Sequence, residues 1–161
     1  MEKKSLSIEY CEYSNMEELP ADDRILLQKA IDATKGSYAP YSRFRVGAAV
    51  RMSNGEIIIG ANQENAAYPS GLCAERTAMF YAHTIHPEDR MEAIAITSVD
   101  PSGNMLPTIT YPCGACRQVM AEYENLAGTP VRIIIGSTGA IKVFDGVSSI
   151  MPFIFDNLIK K

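Results

Sequence analysis

The chain has 161 residues, 47% of them hydrophobic and 21% charged, the make-up of a globular protein with one domain and a sizeable core. Its formal charge of −4 argues against a polynucleotide partner, which needs a basic surface, and suits a small neutral substrate. No apolar run reaches membrane-spanning length, and Met1-Glu2-Lys3-Lys4 is not followed by a signal-peptide stretch. A cytoplasmic setting is therefore expected, with the four cysteines as thiols or metal ligands rather than disulfides.

Residues 1–161 are read as a single domain, with residues 1–19 an N-terminal extension of unclear role. Alternation across Leu6-Ser7-Ile8-Glu9-Tyr10-Cys11 suits a short strand. Pro20 opens a helix with Ile25, Leu26, Lys29, Ala30 and Ala33 at helical spacing, and Gly36 ends it. Two apolar runs, 46–52 and 56–60, flank Asn54-Gly55, a strong hairpin signal. A loop over 62–72 leads to a helix from Ala74 to Ile85, stopped before Pro87. Residues 93–97 read as a buried strand. A turn-rich loop holding Pro101, Gly103 and Pro107 follows, and then a helix over 113–123. Strands over 131–135 and 140–144 and an apolar tail with a polar end complete the chain. This order predicts an α/β fold with a mixed sheet and helices on its faces.

Chemistry concentrates in two places. Cys73-Ala74-Glu75 starts one predicted helix, and Pro112-Cys113-Gly114-Ala115-Cys116 starts another. Cysteines three apart at a helix start share one side, and the free N–H groups there favour thiolate. Three thiolates bind Zn²⁺ and leave its fourth tetrahedral position open to water. Glu75, two residues from Cys73, is placed to move that water's proton. Arg76 and Arg117 each follow a motif residue and can donate to the sulfurs, with Arg76 the preferred partner. Other readings stay open at this point. A redox pair would use Cys113 and Cys116 and leave Cys73 and Glu75 idle. A closed structural zinc site would need a fourth ligand, such as Cys11 or His83.

At these residues the chain resembles the cytidine deaminases, particularly the small homotetrameric type with three cysteine ligands. The likeness runs through residues 38–49 (Tyr38-Ala39-Pro40-Tyr41-Ser42-Arg43-Phe44 and onward), 62–66, 73–78 and 112–119. It implies a three-layer α-β-α fold with a mixed five-stranded sheet. It implies one Zn²⁺ per chain on Cys73, Cys113 and Cys116, with Glu75 as proton shuttle and Arg76 behind the sulfurs. Phe44, Asn62, Glu64, Ala74 and Tyr68 inherit substrate contacts. Asn62 and Glu64 take the ribose, Phe44 packs near the pyrimidine, and Tyr68 reaches a neighbouring subunit's site. Three positions depart from the family pattern: Arg45, Tyr111, and the ending around Phe153 and Phe155. The implied activity is deamination of cytidine and deoxycytidine in pyrimidine salvage, by a homotetramer with no nucleic-acid polymer or membrane partner. Rival readings are a deaminase of another small aminopyrimidine, an editor of bases in polynucleotides, and a silent zinc-scaffolded binding subunit. Lack of tryptophan and the acidic balance oppose the editor; Glu75 would be idle in the scaffold.

Overall fold

The computed structural model describes residues 1–156; the polar end expected for the tail lies outside them. Nine elements run β1 (Cys11–Tyr13), α1 (Ala21–Ala33), β2 (Arg45–Met52), β3 (Ile57–Ala61), α2 (Ala74–Ile85), β4 (Met91–Val99), α3 (Gly114–Ala127), β5 (Arg132–Gly136) and β6 (Ile141–Asp145), with short 3-10 turns between some of them. The strands form one sheet in the order β1-β6-β5-β4-β2-β3. β4 and β5 pair in parallel; every other neighbouring pair is antiparallel.

The helices divide between the two faces. Leu26, Leu27 and Ala30 of α1 pack on Ala49, Ala95, Ile134 and Val143. Ala74, Ala78 and Met79 of α2 and Met120 and Ala121 of α3 pack on Val50, Ile94, Ile96 and Ile133. The result is the three-layer arrangement the sequence implies. β4, central and covered on both sides, has eight of nine residues buried, which explains its apolar run. No helix among the described residues is long and apolar enough to cross a membrane.

The sheet has six strands, not the five expected. The sixth comes from the N-terminal extension: Cys11, Glu12 and Tyr13 pair with Val143, Lys142 and Ile141 along β6. The strand expected over 6–11 sits later, at 11–13, where the chain pairs with residues 141–143 of β6. Residues 6–10 carry the alternation without a ladder to join.

Two glycines let helices approach the sheet. A Cβ on Gly60 of β3 would stand 2.5 Å from the Ala78 nitrogen and 2.8 Å from the Ala74 carbonyl oxygen. A Cβ on Gly47 of β2 would stand 2.0 Å from the Ala30 carbonyl oxygen. Only hydrogen fits at these points, so Gly60 sets how closely the first turns of α2 lie on β3. Both α2 and α3 begin beyond the carboxyl ends of the strands that lead to them, where ligands collect in α/β sheets.

Candidate active site

Cys73 occupies the residue before α2, and Cys113 the residue before α3. Cys116 lies in the first turn of α3 and is fully buried. The two β-α-β crossovers thus bring both helix starts together. The Sγ atoms of Cys73 and Cys113 are 3.8 Å apart, those of Cys113 and Cys116 are 3.5 Å apart, and all three lie within 4.8 Å of one another. Zn–S bonds of about 2.3 Å place tetrahedral sulfurs about 3.8 Å apart, so this triangle fits Zn²⁺ and is too wide for a disulfide at about 2 Å. No fourth ligand joins it among the described residues. Cys11 is exposed on β1. His83 packs at a tilt against Tyr123 with ring centroids 5.3 Å apart, and His86 bonds Glu56 at 2.8 Å. Neither the redox pair nor the closed site accounts for such a triangle.

The sulfurs do not share one acidity. Hydrogen bonding from Cys116, then from Arg76 and Cys113, lowers the Cys73 thiol to about 5. Cys116, bonded to that thiolate and buried, is pushed far up. The Arg76 guanidinium, whose Nη2 lies 3.8 Å from the Cys73 Sγ, adds to the lowering of that thiol. The buried Arg76 Nε has no hydrogen-bond partner among the described residues. It is a spare donor beside a cluster whose three thiolates outweigh a divalent ion. Arg117 points elsewhere, donating from Nε to the Pro112 carbonyl at 2.9 Å and from Nη1 to the Ile150 carbonyl.

Glu75 is 4% exposed in the first turn of α2. Burial pushes its carboxyl up, against the hydrogen bond from its own backbone N–H, and the Cys73 charge adds to the rise. A proton therefore lingers on this group longer than on a surface glutamate. A dication on the sulfurs would draw it back toward the ionised form.

A cavity of about 740 Å³ opens over this floor, within the roughly 300–1,000 Å³ range of small-molecule sites. Its wall includes Phe44, Asn62, Glu64, Tyr68, Ala74 and Glu75, so the structure gathers every predicted contact with Cys73 and Cys113. Ala74 is fully buried at the base, and Tyr68 is 94% exposed at the rim.

Glu64 accepts from the backbone N–H groups of Tyr41 and Ser42, at 2.9 and 3.3 Å, and from the Ser42 hydroxyl. These donors, the hydroxyl foremost, hold its carboxyl below the usual range. Asn62 accepts at Oδ1 from the Val46 N–H at 2.9 Å and from the Ser37 hydroxyl. It donates from Nδ2 to the Phe44 carbonyl at 2.9 Å. Its amide thus ties down the loop that presents Phe44 and keeps one N–H for a ligand. Sequence reasoning singled out neither Ser42 nor Ser37. Ser42 lies in the 38–49 run and Ser37 just before it, but no periodicity marks a loop serine as the anchor of a residue some 20 positions on.

The geometry agrees with three comparisons. Residues 20–127 match the family model described as the cytidine and deoxycytidylate deaminase zinc-binding region. The chain is 44% identical over 135 residues to a cytidine deaminase of Halalkalibacterium halodurans, covering 83% of this chain and 94% of the relative. It is 39% identical over 114 residues to a cytidine deaminase of Mycobacterium tuberculosis, covering 69% and 80%. A crystal structure of cytidine deaminase from Burkholderia pseudomallei superposes with a TM-score of 0.68 at 34% identity, over 81% of this chain and 97% of that one.

Proposed function

The chain belongs to the family of cytidine and deoxycytidylate deaminases, and from that membership we propose that it hydrolyses cytidine and deoxycytidine to uridine and deoxyuridine, releasing ammonia, in pyrimidine salvage. Three sulfurs at the spacing of a zinc tetrahedron, with a buried carboxyl beside them at the floor of a nucleoside-sized cavity, support this assignment. Cys73, Cys113 and Cys116 hold the ion. When bound, Zn²⁺ supplies Lewis acidity that makes water nucleophilic near neutral pH.

The remaining work falls to side chains. Glu75 accepts a proton from the water that adds to C4 of the pyrimidine and delivers it to N3. Addition makes C4 tetrahedral. Glu75 then moves the second proton to the amine, the C4–N bond breaks, and ammonia leaves with the C4 oxygen retained. One carboxyl serves as base and then acid, a role worth about 10²–10⁴ in rate.

Glu64 and Asn62 bind the ribose. The Glu64 carboxylate has about four lone-pair sites, and three donors already occupy it, leaving room for one hydroxyl. A substrate lacking that hydroxyl leaves this last acceptor site without a donor, which gives discrimination. Phe44 covers the ring, Ala74 forms the base of the site, and Arg76 draws charge off the sulfurs.

The assembly we propose is a homotetramer in the cytoplasm, built from the one domain of residues 1–161. Free cysteines suit a reducing compartment. Exposed Phe80, Tyr81 and Ile85 on α2 and Phe153 near the end offer apolar surface to a neighbour, and Tyr68 stands free at the cavity rim to reach one.

A spectrophotometric assay with cytidine tests the reading. Absorbance loss with stoichiometric ammonia, abolished by a chelator and restored by zinc, is expected. Zinc-loaded protein that leaves cytidine and deoxycytidine unchanged would contradict it.

A further inference from the structure

Cys113 is the least supported of the three sulfurs. Cys116 is fully buried and Cys73 half-buried, whereas Cys113 is exposed. Cys113 is also the residue at which α3 begins, and no side chain caps that end, its own sulfur being part of the triangle. Neither packing nor a cap fixes it, so its place depends on the peptide that enters the helix. Pro112, just before it, is buried, and a buried carbonyl needs a donor. That donor is Arg117, the fourth residue of α3, with Nε 2.9 Å from the Pro112 oxygen. The same guanidinium donates from Nη1 to the Ile150 carbonyl.

Ile150 belongs to a segment that follows β6 and is itself anchored. Val147 and Ile150 are buried, and Met151 and Ile154 pack on the same core. The Val147 N–H donates to the Glu124 carboxylate at 2.9 Å, and the Gln118 amide donates to the Phe155 carbonyl at 2.7 Å. The segment lies beyond residues 20–127, the part matched by the family model.

We propose that Arg117 is a positioning residue for the metal site: its guanidinium staples the Pro112 carbonyl to the Ile150 carbonyl and so holds Cys113 in place on the triangle of sulfurs. A contact between the residue before a helix cap and the fourth helical residue fixes the angle at which the chain enters. Apolar pairs often make it; here a charged hydrogen bond does. The peptide from Pro112 to Cys113 is planar, so a bond at its oxygen also sets the Cys113 nitrogen and Cα. A cation this near a helix start opposes the dipole, and two carbonyl oxygens offset that cost. The planar fork of arginine presents donors in fixed directions, which a lysine ammonium does not. The segment after β6 thus reaches the metal site through one side chain.

This inference rests on reading the three cysteines as zinc ligands, and the test separates the two. Zinc release to excess chromogenic chelator near neutral pH would be timed in zinc-loaded wild type, Arg117→Gln, Arg117→Lys and Gln118→Ala, with Tm as a control. Loss of a group that orients a metal ligand costs about 10- to 100-fold in affinity, so Arg117→Gln should release zinc about tenfold faster or more. Arg117→Lys keeps the charge but not the fork, and should release zinc nearly as fast. Gln118→Ala cuts a neighbouring tie to the same segment, the one to Phe155, and should match wild type. Hydrogen exchange adds a readout independent of the chelator: Arg117→Lys, which carries the test if Arg117→Gln does not fold, should speed exchange over residues 113–116 and leave α1 unchanged. Wild-type release from both Arg117 variants, full rescue by lysine, release that simply follows Tm across all variants, or unchanged exchange would overturn the inference. Wild type that binds no zinc would instead contradict the ligand reading.

Discussion

Ser42 shows how much of the site depends on a single hydroxyl. It donates to Glu64 and accepts from the Phe44 N–H at 3.0 Å, so one oxygen links the carboxylate proposed to take the ribose to the residue proposed to cover the ring. Arg43 between them sits in the left-handed region at φ 59°, a conformation costing about 1 kcal/mol outside glycine. Ser42→Ala should raise KM for cytidine about tenfold with kcat little changed, since it frees the carboxylate without touching the sulfurs. Steady-state kinetics on protein of normal Tm checks this; a fall in kcat at constant KM would contradict it. The sulfurs make a second prediction. Cys73, lowered to about 5 by its neighbours, is already a thiolate at pH 7, whereas Cys116, pushed up, must lose its proton to bind metal. Zinc uptake by metal-free protein at pH 7 should therefore release fewer than three protons, and uptake should weaken as pH falls below 7, more steeply below about 5 where Cys73 also takes up a proton. Calorimetry in buffers of different ionisation enthalpy counts them; three released protons would refute the lowered Cys73.

At the scale of elements, α2 depends on a residue it does not contain. Gly60→Ala would drive a Cβ into the backbone of Ala74 and Ala78, and neither neighbour is a flexible side-chain end. The expected cost is about 3 kcal/mol, together with loss of zinc, because Cys73 and Glu75 ride on the displaced turn. Thermal melts and metal analysis check this; a variant with wild-type Tm and zinc content would show that α2 has slack. The same elements show what was legible in the sequence. α2 reads correctly over Ala74–Ile85 because apolar spacing and Pro87 agree on its ends. α3 runs to Ala127, four residues past expectation, since its stop is Gly128 in the left-handed region at φ 69°. Tyr123, by contrast, is simply the last of its apolar stripe. The β2–β3 hairpin follows from Asn54-Gly55. β1 could not be placed from its own residues: three residues form a strand there only because β6 presents an edge. Cys73, Glu75, Cys113 and Cys116 were visible because metal chemistry fixes their spacing. Ser42 and Ser37 were not, because they join segments that only the fold brings together.

For the whole molecule, the exposed apolar residues call for partners. Phe80, Tyr81 and Ile85 share one helix with Glu75, and Phe153 is 89% exposed. Light scattering should return four times the 17.6 kDa of the chain, and Tyr81→Glu should lower that mass by putting a charge into a contact between copies. A monodisperse 17.6 kDa particle with full activity would contradict the proposed assembly.

We propose that Glu75 moves the protons of a hydrolysis staged on the three-sulfur site. The most direct measurement is turnover of cytidine by Glu75→Gln at a zinc content equal to that of wild type. The variant keeps the size of the side chain and removes its ability to accept a proton. One zinc per chain is expected in both proteins, with kcat lowered by about 10²–10⁴ or more in the variant. Equal turnover at equal zinc would remove Glu75 from the reaction and with it the mechanism set out above.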